Sequence, residues 1–108
     1  MDIKGRMVKV RFKKYFAEQR LWLFLGRVLE ISENWIQVEG RGIVHFHAPR
    51  RTEIDEEPRV VVIPRDNIAH IRILPDSFTL DKIEILTRGG RFFVKVPDGP
   101  DTSIGDEF

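Results

Sequence analysis

The sequence contains no cysteine. This absence excludes a disulfide framework, a zinc–thiolate site and a catalytic thiol, and it suits a reducing compartment. No apolar run approaches the ~20 residues of a membrane-spanning helix. The opening, MDIKGRMVKV, lacks the apolar core of a secretory signal. A cytoplasmic protein with no membrane association is therefore expected. Familiar catalytic patterns are missing too: no G-x-S-x-G, no glycine-rich phosphate loop and no Ser/His/Asp arrangement. Carboxylates are plentiful, but nothing marks an acid–base pair. Neither enzymatic activity nor a cofactor is expected.

What is present is a chain of 108 residues, which fits one domain able to bury a core without disulfides or a structural metal. The net charge of +1 conceals an imbalance. Residues 1–52 hold 11 Lys/Arg against 5 Asp/Glu, a net +6, whereas residues 53–108 hold 7 against 12, a net −5. Such asymmetry suits a basic binding face with an acidic tail, or an ordinary surface of mixed sign.

The hydropathy pattern is that of strands. VKVRF (8–12) alternates, with Val8, Val10 and Phe12 expected inward. KKYFAEQ (13–19) reads as a loop or one helical turn. RLWLFLGRVLEI (20–31) is a β-rich run with Gly26 at its middle, where a glycine marks a sharp bend or a close backbone approach. Ser32-Glu33-Asn34 is a turn, WIQV (35–38) alternates, and IVHF (43–46) resumes the strand beyond Gly40 and Gly42. APRRTEIDEEP (48–58) reads as a charged loop. VVVI (60–63) is a strand stopped by Pro64, which has no N–H for a ladder, and IAHIRIL (68–74) is another. KIEILT (82–87) and RFFVKV (91–96) flank Arg88-Gly89-Gly90, a tight-turn signal. The Pro-, Gly- and Asp-rich end, 98–108, is expected to be disordered.

The order of these elements resembles the Sm-like (LSm/Hfq) family over about residues 8–74. VKVRF corresponds to the family's first strand, and LFLGRVLEISENWIQVEG to its glycine-bent second strand, loop and third strand. VVVIPRDNIAHIRI corresponds to the second motif, a β-run, a tight turn and an Ile-rich strand. The resemblance implies an all-β fold: a small, strongly bent, five-stranded Sm-like (SH3-like) barrel over residues 1–75. A C-terminal β-hairpin (76–97) extends the same domain, and an acidic tail (98–108) follows. It also implies a homo-oligomeric ring of about five to seven subunits, in which the fourth strand pairs with the fifth of the next copy.

In that family RNA lies near the ring pore, held by one loop that stacks a base and by a turn that offers a cation. The matching positions are Asn34 and Trp35 in the first loop, and Arg65, Asp66 and Asn67 in the second turn, with single-stranded RNA as the implied ligand. There are departures. Ser32 replaces the family's loop aspartate, Asn34 falls on the stacking position with Trp35 beside it, and Pro64 falls on the Sm arginine. In an Hfq-like alignment Arg65 takes the lysine position and Asp66 that of the histidine. An acid beside the cation weakens phosphate attraction, and Arg65 and Asp66 also suit a turn in which they pair with each other.

Other features carry two readings each. Lys9, Arg11, Lys13 and Lys14, with Tyr15 and Phe16 nearby, suit a track for a phosphate backbone or a solvated strand face. His45 and His47 share one strand face, with His70 or a carboxylate of 53–57 as a further zinc ligand, but packing histidines fit the pattern better. Arg88 and Arg91 flank a hairpin turn that also offers two cations to an anion. The terminal IGDEF (104–108) suits plain disorder, docking on a basic face in competition with nucleic acid, or recruitment of a partner. The alternative to RNA binding is a protein-interaction or assembly module on the same scaffold.

Overall fold

The computed structural model describes residues 2–15, 21–47 and 50–104. Within them, regular structure is strand throughout, apart from one 3-10 turn. Strand β1 (Met7–Phe12) pairs antiparallel with β2 (Leu21–Ile31) on one side and with β6 (Ile68–Ile73) on the other. β2 continues through a tight turn into β3 (Trp35–His47). The long β3 is shared: its first half pairs with β5 (Arg59–Pro64) and its second half with β4 (Arg50–Ile54). A second sheet holds β7 (Ile85–Arg88), β8 (Arg91–Val94) and β9 (Thr102–Ser103). The fold is all-β and antiparallel. Among the described residues, β5 and β6 do not pair with each other, so the larger sheet is open rather than closed by a ladder.

β1 shows why these residues give this architecture. Its alternation sends Val8 and Val10 to one face, where they join Phe24, Val28, Val38 and Ile63. The opposite face sends Met7 into a second core with Leu23, Leu25, Ile43, Leu74 and Val94. The sheet is thus buried on both sides, which explains why Leu23, Phe24 and Leu25 of β2 are apolar in succession. Each such side chain contributes roughly 1.5–3 kcal/mol on full burial. The β7–β8–β9 layer supplies the cover for the second core, through Val94, Val96 and Ile104.

Gly26 and Gly40 face each other across β2 and β3. A Cβ on Gly40 would fall 1.9 Å from the Leu25 carbonyl oxygen, and one on Gly26 would fall 2.4 Å from that of Glu39. The two backbones approach so closely that only glycine fits at either position. This is the close approach expected at Gly26. Contrary to the sequence reading, Gly40 and Gly42 do not interrupt the strand; β3 runs unbroken through both.

Two more expectations are corrected. The charged segment 48–58 carries strand β4, an edge strand whose Thr52 and Ile54 are half-buried while Arg51 and Glu53 point outward and pair at 3.3 Å. The segment 98–104, expected to be disordered, forms β9 with Thr102, Ser103 and Ile104 buried. Its Asp101 accepts a 2.9 Å hydrogen bond from the Val96 N–H and pairs with Arg88. Residues 16–20 and the terminal GDEF lie outside the described residues. The hairpin is present, slightly shorter at each outer end than read from sequence, and its turn takes positive φ at Gly89 (55°) and Gly90 (77°).

Candidate functional site

The turn between β2 and β3 is built around Ser32. Its hydroxyl oxygen accepts the N–H groups of Asn34 (3.3 Å) and Trp35 (3.2 Å), and its own N–H donates to the Trp35 carbonyl at 2.9 Å. Serine here performs the local backbone bonding that aspartate performs in similar turns. The bonding fixes Trp35 at the start of β3, where the residue is 39% exposed.

The second turn starts at Pro64, whose φ of −62° closes β5, and Arg65–Asp66–Asn67 forms one turn of 3-10 helix before β6. Its missing N–H falls at the end of the strand, where proline is tolerated. Pro64 lies opposite Trp35 in the β3–β5 ladder. The Arg65 N–H donates to the Asn34 carbonyl at 2.8 Å, and its guanidinium donates to the Glu33 carbonyl at 3.3 Å. Arg65 therefore bridges the two turns, and no ion pair joins it to Asp66 among the described residues.

Between the turns lies a cleft of about 570 Å³. Its floor is apolar, with Ile31, Ile36, Ile68 and Ile71, and its rim carries Trp35, Lys13, Arg65, Glu33 and Asp66. The size and the mixed lining suit a flat, partly polar ligand such as a nucleobase. Trp35, Arg65 and Asp66, which the sequence singles out, meet in this cleft. Asn34 contributes through its backbone, and Asn67 lines a neighbouring groove with Phe12, Lys13, Tyr15 and Trp22. Lys13 lines both spaces. Sequence reasoning missed Trp22 as a surface residue, because an apolar run hides which tryptophan faces out.

The basic series on β1 divides in two. Lys13 and Lys14 are exposed, but Lys9 and Arg11 are buried, Lys9 beneath the C-terminal segment, so no continuous phosphate track runs along this strand. The Lys9 ammonium donates to the Thr102 hydroxyl at 2.7 Å and to the Ser103 carbonyl at 3.2 Å. Burial, and then the neighbouring Arg11 and Arg72 charges, push its pKa from 10.5 down to about 8. Arg72 of β6 ties down the same segment through the carbonyls of Pro100 (2.5 Å) and Asp101 (3.3 Å). Burial, then Lys9 and Arg11, lower the His70 pKa from 6.5 to about 4.

His45 is buried, with Nδ1 3.2 Å from the Thr52 hydroxyl and its ring 4.9 Å from that of Phe92. These are packing contacts, and no group of three or more potential metal ligands forms among the described residues. The His47 side chain lies outside them. No helix of the described residues is long and apolar enough to cross a membrane. Comparison with known proteins finds no matching family model, no matching curated protein and no matching solved structure.

Proposed function

We propose that this protein is a non-catalytic, single-stranded RNA-binding module of Sm-like type that assembles into a ring of about five to seven copies. The observation that carries the reading is the cleft in which Trp35, Arg65 and Lys13 meet. An exposed indole beside two cations supplies a stacking face for a base and charge for the adjoining phosphates. On this reading β6, β1, β2, β3 and β5, in that spatial order, form the five strands of an Sm-like barrel. β4 is then a spur, and β7–β9 a cap over its outer face. The outer edges of β5 and β6 carry no ladder among the described residues. They are the two edges that a ring would join, β5 of one copy to β6 of the next.

A second reading, a protein-interaction module, is favoured by one observation. Val60 and Val62 stand 50% and 56% exposed on β5, and an apolar edge strand is a ready template for another chain. Light scattering after size exclusion, combined with fluorescence anisotropy of labelled oligo-A, oligo-U and mixed RNA at low and physiological salt, separates the two. The proposal expects a single multi-subunit species that binds RNA and weakens as salt rises. A ring that binds no RNA at low salt would favour the assembly module, and a monomer that binds none would sink the proposal.

A further inference from the structure

The groove beside the main cleft has its own aromatic pair. Tyr15 is 66% and Trp22 42% exposed, and with Phe12, Lys13 and Asn67 they line a space of about 220 Å³. The segment carrying Lys13 and Tyr15 is fastened to the second turn. The Lys13 N–H donates to the Asn67 carbonyl at 2.8 Å, and the Tyr15 hydroxyl donates to the Asp66 carbonyl at 3.2 Å. One turn therefore serves two spaces: Arg65 and Asp66 face the cleft, Asn67 faces the groove, and Lys13 lines both.

We infer that this groove is a second base-binding subsite, for the nucleotide next to the one held at Trp35. The inference rests on the RNA-binding reading of the main cleft. The chemistry fits a nucleotide better than an apolar side chain. Tyr15 and Trp22 offer aromatic faces, Asn67 offers both donor and acceptor to a base edge, and a cation stands between the two subsites. A phosphate linking two stacked bases passes that cation. Because every base has a π-face, the groove adds affinity with little sequence preference. The protein thus holds two nucleotides per copy rather than one.

The chain has only two tryptophans, Trp22 and Trp35, so fluorescence can watch each subsite alone. Trp35→Phe leaves Trp22 as the reporter, and Trp22→Phe leaves Trp35. Adenosine and uridine hexanucleotides are expected to quench both reporters. Trp22→Leu is expected to weaken hexanucleotide binding at least fivefold, the low end of the loss of one stacked base, while dinucleotide quenching at Trp35 persists. Trp22 is half exposed, so the variant should fold, which circular dichroism and a thermal melt would check. Quenching at Trp35 alone, with Trp22→Leu binding hexanucleotide as the parent does, would overturn the second subsite and leave the cleft intact. No quenching at either tryptophan, even at low salt, would remove the cleft reading and this inference together.

Discussion

Lys9 and Thr102 meet at 2.7 Å across 93 positions of sequence. The contact joins the first strand to the last, and places an ammonium group almost wholly out of water. Its partners define what each substitution does. Thr102→Val removes one of the two acceptors of a buried charge and leaves the Ser103 carbonyl, which should cost about 1–3 kcal/mol. Lys9→Met removes the charge with its need for partners and should cost less, since a buried ion replaced by an apolar side chain of similar volume is often close to neutral. Urea denaturation of both variants checks the ordering; a larger loss for Lys9→Met would contradict it.

The same burial predicts two pH limbs. Lys9 and His70 are bases whose folded pKa values lie below their unfolded ones, so in each window the unfolded chain binds more protons and stability rises with pH. The penalty from His70 is complete below about pH 4 and relieved by about 6.5. That from Lys9 is complete below about pH 8 and relieved by about 10.5. Urea midpoints measured from pH 4 to 10.5 should climb in both windows. His70→Gln should flatten the acid limb and Lys9→Met the alkaline one.

Gly40→Ala should be among the most damaging single substitutions in the chain. Its Cβ would meet backbone, not a side chain that can swing aside, which places it at or beyond the upper end of the ~1–3 kcal/mol typical of overpacking. At Gly42 the nearest atoms are the ends of Asp55 and Arg59, at 3.0 and 3.3 Å, and alanine there should be milder. Thermal midpoints of the two variants provide the comparison.

Ser32→Ala deprives two backbone N–H groups of their acceptor. A loss of about 0.5–1.5 kcal/mol is expected and, if the cleft binds RNA as proposed, weaker binding as well, because Trp35 loses its fixed position. Ser32→Asp should restore both, since aspartate forms the same local bonds. Recovery of stability without recovery of binding would separate the turn from the cleft.

Placing lysine at both Val60 and Val62 charges the outward face of β5. If β5 joins neighbouring copies, light scattering should report a monomer, and circular dichroism should show the fold retained, because both side chains are exposed in the single chain.

Much of the sheet is legible in sequence because its pattern is local. The alternation in VKVRF, the β-branched VVVI with its proline stop, and the Gly-Gly turn each state their own structure. β4 was hidden because a strand paired on one side tolerates charge: Arg51 and Glu53 satisfy each other outward, and Arg51 lies 4.3 Å over the Phe46 ring. β9 was hidden for another reason. PDGPDTSI has the composition of a disordered tail, yet Asp101 and Thr102 are anchors for Arg88 and Lys9, and no local signal names a partner so distant. The burial of Lys9 has the same origin, since the strand alone shows it facing away from Val8 and Val10 but not what covers that side. At the cleft, the resemblance drew attention to Trp35, Arg65 and Asp66. Lys13, Tyr15 and Trp22 join the surface only because the sheet brings the end of β1 beside the second turn.

The long separation between Lys9 and Thr102 also bears on the order of events in folding. The β2–β3 hairpin and the β7–β8 hairpin form from neighbouring residues, but β1 gains its β6 neighbour only after some sixty residues, and its cover only when β9 arrives. Loop-closure entropy delays such contacts. Until they form, the Leu23, Leu25 and Ile43 face of the sheet stays open to water. If these distant contacts form last, the same step conceals the stickiest surface, and a chain stalled before it is exposed to aggregation.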